Sequence, residues 1–111
     1  MVIALGGIIM FLIVKRAGRQ QPFSVSNLVI MPSIIKPGNT ATVTVNVTNM
    51  GNRQGTYKVI LKINDLVESS RDVTLIKGDS KTVNFTVVRE KPGIYNINVN
   101  NISGHLLVQN Q

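Results

Sequence analysis

The chain has 111 residues, 43% of them apolar, enough for one domain with a packed core and one further short segment. It contains no cysteine and no tryptophan and a single histidine, which excludes a disulfide framework, a thiolate nucleophile and a Cys-type zinc site and leaves stability to packing. Twelve basic residues against five acidic ones give a net charge of +7; Lys15, Arg16 and Arg19 cluster beside an apolar run, and the other nine are scattered at a mild +4, without a charge block.

Met1 to Val14 carries no charged or strongly polar side chain and ends at Lys15-Arg16. As a helix its fourteen residues reach ~21 Å, short of a hydrocarbon core of ~30 Å. The span is completed if the true start lies upstream of this Met1, with Lys15, Arg16 and Arg19 snorkelling on the flank. A cleaved signal peptide fits less well, because no basic region precedes the run and no small-residue cleavage site follows it. Residues 1–19 are therefore expected to be a hydrophobic membrane-anchor helix with a basic flank, and residues 20–22, Gln20-Gln21-Pro22, a polar hinge. The basic flank places the following domain in the cytoplasm by the positive-inside rule. Three sequons, at Asn46, Asn84 and Asn101, and strand surfaces rich in Asn, Thr and Ser point outside instead. An extracytoplasmic domain is the expectation.

From Pro22 onward the pattern is of period two. Phe23, Val25, Leu28 and Ile30 predict a first strand, ended by Pro32 and Pro37-Gly38. In Ala41 to Asn49, Val43, Val45 and Val47 alternate strictly with Thr42, Thr44, Asn46 and Thr48, so one face is core and the other is wet. Asn49, Gly51, Asn52 and Gly55 all tolerate positive φ, and a chain reversal is expected there. Thr56 to Ile63 puts Tyr57, Val59, Leu61 and Ile63 on one face, with Lys58, Ile60 and Lys62 on the other. Asn64-Asp65 turns into Leu66-Val67. Arg71 to Ile76 predicts a further strand, and Lys77-Gly78-Asp79 turns it into Ser80 to Val88, with Val83, Phe85 and Val87 inward. After a turn at Arg89 to Gly93 comes a strand with Tyr95, Ile97 and Val99. Asn100 to Gly104 is read as a reversal before Leu106 and Val108 close the sheet.

About seven short strands with turn signals every eight to twelve residues describe an all-β, immunoglobulin-like antiparallel β-sandwich over residues 23–111, preceded by the short N-terminal hydrophobic helix.

Several spaced motifs also carry a family likeness. Pro37-Gly38, Val47 with Asn49 and Gly51, Gly55 with Tyr57, the stretch Leu75 to Phe85 with Gly78, Ser80 and Val83, and Pro92-Gly93 with Tyr95 resemble the pattern of CARDB-like modules, cell adhesion related domains found in bacteria. The likeness covers nearly all of Phe23 to Val108. It implies an immunoglobulin-like sandwich on cell-surface or secreted proteins, often in tandem copies, with no catalytic residues to carry over. This chain departs from the pattern by carrying one copy behind a membrane-like segment. The motif residues themselves serve folding: the Pro-Gly pairs set turns, and Tyr95 is placed to bond back to backbone as a tyrosine corner does.

Chemistry-bearing residues are sparse. His105, the lone imidazole, sits at the start of the last strand with no oriented nucleophile beside it, so a surface histidine is expected. Asp65, Glu68 and Asp72 lie close enough in sequence to meet across a hairpin, but lack the alternating pattern of a calcium loop and read as solvated turn acids. Lys58 and Lys62, with Arg71 and Lys81 expected nearby, keep a sheet face soluble and block edge pairing; a nucleic-acid site would add aromatic platforms, whereas Tyr57, Phe85 and Tyr95 follow the core alternation. Ile60 and Ile76 are expected outward, and with Lys58 and Lys62 they form the candidate interaction face.

No catalysis, cofactor, metal, nucleic acid or small-molecule substrate is implied. The expected function is that of a membrane-anchored cell-surface module for adhesion, spacing or envelope assembly. Its expected partners are the bilayer, through residues 1–19, and other surface proteins or copies of itself. The alternative is a subunit of a surface filament with the hydrophobic helix packed in the fibre core. A carbohydrate-binding module is disfavoured by the lack of tryptophan.

Overall fold

A computed structural model describes residues 22–110. The expected helix over residues 1–19, its flank Lys15, Arg16 and Arg19, and hinge residues Gln20 and Gln21 lie outside the described part. Among the described residues no helix is long and apolar enough to cross a membrane.

Among the described residues eight strands make up two sheets: β1 Phe23–Met31, β2 Ile34–Ile35, β3 Thr40–Asn49, β4 Gly55–Ile63, β5 Leu66–Leu75, β6 Ser80–Val88, β7 Gly93–Val99 and β8 Ile102–Val108. The three-stranded sheet has the order β1-β3-β6, and the five-stranded sheet the order β2-β8-β7-β4-β5. Pairing is antiparallel except between β2 and β8. The expected seven strands become eight because Pro32 cannot donate to a ladder, so β1 stops at Met31 and the chain resumes as β2 in the opposite sheet.

Alternation sets the core. Val43, Val45 and Val47 of β3 are fully buried, with Phe85 and Val83 of β6 in register opposite Val43 and Val45. They face Val59, Leu61 and Ile63 of β4, Val73 and Leu75 of β5, Ile97 and Val99 of β7, and Leu106 and Val108 of β8, all in one buried cluster. Tyr57, expected inward, is half-buried and stacks on Phe23 with ring centroids 5.0 Å apart.

Two bulges explain where the pattern is hardest to read. In β1 the register slips between Ser26 and Val29 around Asn27, whose φ is 56°. The extra residue switches the parity of the strand, so that Val25 before it and Leu28 and Ile30 after it all pack on the core. In β5, Leu61 pairs with Ser69 but Lys62 with Val67, which leaves Glu68 as the extra residue. This slip hides the alternation of Leu66 to Ser70, and the strand begins at Leu66 rather than at Arg71.

Two expected reversals are corrected. The β7–β8 turn is only Asn100-Asn101, since Val99 pairs with Ile102, and Gly104 lies inside β8. Its glycine answers to packing: a Cβ there would come 3.0 Å from Ile30 Cδ1 and 3.4 Å from Leu28 Cδ2, the side chains with which β1 covers β8. The stretch after Asn49 crosses from one sheet to the other without positive φ at Asn49, Gly51, Asn52 or Gly55; in the links, positive φ falls instead at Gly38, Asn64, Asp65, Gly78 and Asn100. The pair Asn64-Asp65, with φ of 52° and 69°, forms the tight β4–β5 hairpin that was expected.

What holds the crossing is Asn49 itself, the one buried polar residue among those described. Its Nδ2 donates to the carbonyls of Arg53 and Leu75, both at 2.9 Å, and its Oδ1 accepts from Gly51 N at 2.9 Å. Its backbone N donates to Asp79 O, its carbonyl accepts from Gly78 N, and Met50 N donates to Pro22 O. One residue, by its side chain and its backbone, thus ties the end of β3, the β3–β4 link, the end of β5 and the β5–β6 link together. A Cβ on Gly51 would lie 2.6 Å from Pro22 Cγ, so the incoming chain seats directly on that glycine.

Leu61→Ala is expected to lower the unfolding free energy by about 2–5 kcal/mol, whereas Leu66→Ala, at a residue 74% exposed, should stay within about 0.5 kcal/mol; urea titration of both distinguishes them. Asn49→Ala leaves the buried carbonyl of Leu75 and the part-buried one of Arg53 without their donor and should cost about 3 kcal/mol. A loss no larger than that of Asn46→Ala on the wet face would refute the anchoring role.

Candidate functional site

The outer face of the three-stranded sheet is uncharged, a layer of hydroxyls and amides with the exposed Val29, Met31 and Val88 toward one end. Across the β3–β6 ladder Thr44 Oγ1 donates to Asn84 Oδ1 at 2.9 Å, Thr82 Oγ1 to Asn46 Oδ1 at 3.1 Å, and the Thr48 and Ser80 hydroxyls meet at 2.7 Å. Two of the three sequon asparagines therefore sit side by side in this layer with their carbonyl oxygens engaged. Asn46 is half-buried on the middle strand and Asn84 exposed on the sheet edge, while Asn101 stands in the exposed β7–β8 turn.

The outer face of the five-stranded sheet carries Lys58, Ile60 and Lys62 on β4, as their alternation required. Lys58 Nζ lies 3.0 Å from Asp72 Oδ1 across the β4–β5 ladder, an exposed pair of little energetic weight. Ile60 is half-buried, and its backbone N donates to Asn100 Oδ1 at 2.8 Å. Ile76, 55% exposed, does not join it: Ile60 pairs with Ser70, whereas Ile76 lies past the far rung Leu75–Gly55. The expected face of Lys58, Ile60, Lys62 and Ile76 is thus divided between the sheet and one end of the sandwich. Arg71 and Lys81 are not beside Lys58 and Lys62 either. The Arg71 guanidinium covers the Phe85 ring at 5.1 Å at the β5–β6 side, and Lys81 belongs to the opposite sheet.

An apolar feature does form on this outer face, from residues that no single segment shows together. Ile34 of β2 pairs with Leu107 of β8, and Leu107 with Ile94 of β7. The three side chains make one row across three strands, with Ile34 55% and Ile94 69% exposed. In sequence each looks like an isolated aliphatic, because the parallel β2–β8 contact that aligns them is tertiary.

At the β5–β6 side a polar clasp joins the sheets. The bulge at Glu68 turns its carboxylate to Arg89, with Nη2–Oε1 at 2.6 Å and Nη1–Oε2 at 3.4 Å, and the guanidinium lies 5.8 Å from the Tyr95 ring centre. The Tyr95 hydroxyl donates to Lys91 O at 2.7 Å, the back-bond expected of a tyrosine corner. Glu68 and Asp72 are thus each held by a cation. Among the described residues no three His, Cys, Asp or Glu side chains gather, and His105 is exposed opposite Asn96.

Comparison with known proteins supports the same architecture. The CARDB family model matches residues 23–106. A CARDB domain from Pyrococcus furiosus, solved in complex with di-metal ions, is similar over 78% of this chain and 91% of its own, with a TM-score of 0.65 and 22% identity. The β-glucosidase EmGH1 from Erythrobacter marinus is similar over 78% of this chain at TM-score 0.74 and 20% identity, and a β-glucosidase from Listeria innocua over 79% at 0.67 and 17%. This chain spans only 15% and 16% of those two enzymes, so they share a domain fold with it. No curated protein matches the sequence. With its motifs, its two-sheet topology and the match over most of its length, the chain belongs to the CARDB family of non-catalytic, adhesion-related domains.

Proposed function

We propose that the chain is a non-catalytic surface module, anchored in a bilayer through residues 1–19 with its sandwich on the extracytoplasmic side, which holds a neighbouring surface protein or a second copy against its five-stranded sheet. The observation that carries this reading is the row Ile34–Leu107–Ile94, two exposed aliphatics and a half-buried one between them, aligned across three strands of the outer face. Such a patch loses little by being covered and gains roughly 25 cal/mol for each Å² of apolar surface removed from water. Family membership supports the adhesive role. The apolar run Met1 to Val14 with Lys15, Arg16 and Arg19 behind it supports the anchor.

The clasped sandwich suits a spacer. Its faces are set by backbone pairing, and both sides are closed, by Leu28 and Ile30 over Gly104 and by Arg89 on Glu68. A rigid face presents its contacts without an ordering cost at the moment of binding.

Protease treatment of intact cells should digest the domain, and digestion only after lysis would overturn the outside placement. On the same cells, a photoreactive side chain at Leu107 should cross-link to its partner, with the yield falling about tenfold in Ile34→Lys/Ile94→Lys; an unchanged yield would remove the row from the interface. Fibres in negative-stain images, in place of vesicle-bound modules, would move the apolar segment from a bilayer to a filament core.

A further inference from the structure

The two ends of the sandwich differ in charge. One end gathers Pro22 at the entry to β1, the β3–β4 link from Met50 to Gln54, the β5–β6 link from Ile76 to Asp79, and the start of β6; the Asn49 hydrogen bonds and the Met50–Pro22 bond hold these pieces together. Its basic residues are Arg53, Lys77 and Lys81, its acid only Asp79. The opposite end, with the β2–β3, β4–β5 and β6–β7 links, balances Lys36, Arg89 and Lys91 against Asp65, Glu68 and Glu90. Among the described residues, Arg53, Lys77 and Lys81 enter no ion pair, whereas Arg89 is held by Glu68.

The cationic end also carries two large exposed side chains, Met50 at 68% and Ile76 at 55%. Each stands in a link held by the Asn49 network, so neither can withdraw without breaking hydrogen bonds of that network. This is also the end at which the chain arrives from Lys15, Arg16, Arg19 and the apolar run. Aliphatic tips ringed by unpaired cations match the boundary of an anionic bilayer, where apolar groups enter the headgroup layer and each nearby Lys or Arg improves partitioning about fivefold.

From this we infer that the end bearing Met50 and Ile76 is a lipid-docking face. The two side chains enter the interface of an anionic bilayer, and Arg53, Lys77 and Lys81 rest against its headgroups. The inference rests on the membrane-anchor reading proposed above and adds an orientation to it: the sandwich stands on the bilayer by this end, and the row Ile34–Leu107–Ile94, toward the other end, faces away from it.

Because the chain has no tryptophan, Met50→Trp or Ile76→Trp places a single fluorophore at the face, and Ile94→Trp serves as a control. The full chain is reconstituted with phosphatidylcholine vesicles, with or without roughly a third phosphatidylglycerol, and the lipids carry bromine in their acyl chains. Met50→Trp and Ile76→Trp should be blue-shifted and quenched in the anionic vesicles, and Ile94→Trp should not. The quenching should fall about tenfold or more when Arg53→Glu, Lys77→Glu and Lys81→Glu are combined, and it should weaken in about 1 M salt, where the Debye length is ~3 Å. If the chain floats with the vesicles but Met50→Trp is quenched no more than Ile94→Trp, the docking face is wrong and the anchor stands. A chain that floats with neither kind of vesicle overturns both.

Discussion

The structure depends on one constraint: the inward side chains of β3 must be met by apolar side chains from β6 beside it and from the five-stranded sheet opposite. Val43, Val45 and Val47 are wholly removed from water, and a slip of one residue would exchange them for Thr42, Thr44, Asn46 and Thr48. Such a slip would bury hydroxyls and an amide without partners, at a cost comparable to the whole stability of a small domain. The register of the three-stranded sheet is therefore fixed by chemistry on both faces at once. The hydroxyl and amide ladder outside reinforces it.

A sandwich without disulfides must also close its sides and its ends, and here each closure has a different physical basis. On the β1–β8 side it is steric: a bulge turns Leu28 and Ile30 inward, and Gly104 leaves them room. On the β5–β6 side it is electrostatic and aromatic, with a bulge aiming Glu68 at Arg89 while Arg71 covers Phe85. Where the chain enters, it is a hydrogen-bond network centred on Asn49. A buried amide with every donor satisfied specifies one geometry for two links, which apolar packing alone would leave less well defined. The same network makes the entry end a platform and not a loose set of loops, and the lipid-docking inference needs that rigidity.

The surfaces of this family member differ from one another. The outer face of one sheet is uncharged, hydroxylic along its ladder with Val29, Met31 and Val88 exposed toward one end, that of the other carries an aliphatic row, and the cationic end holds two exposed hydrophobic tips. On the proposed reading, an anchored module standing on its cationic end leaves the row open to lateral partners. Ile76 and Ile60, both outward aliphatics in sequence, stand on different surfaces, one at the cationic end and the other on the sheet.

Sequence alone determined the fold class, most strand positions and the core of β3, β4, β6 and β7, because alternation of period two is a local property that burial on one face imposes directly. It also marked Tyr95 for its back-bond and located the motif residues that identify the family. Only the tertiary structure decided the rest. Glu68 and Asn27 are bulge residues, which local alternation cannot reveal, and the glycine at 104 resembled a turn signal until the packing of Ile30 explained it. Asn49 looked like one more turn former because its burial comes from the crossing of two sheets. The row of Ile34, Leu107 and Ile94 arises from a parallel pairing between residues about seventy positions apart in the chain, and the ring of Arg53, Lys77 and Lys81 from links joined by that buried amide. Contacts of such long range carry no periodic trace in either partner segment, so these surfaces were the part that required the folded chain.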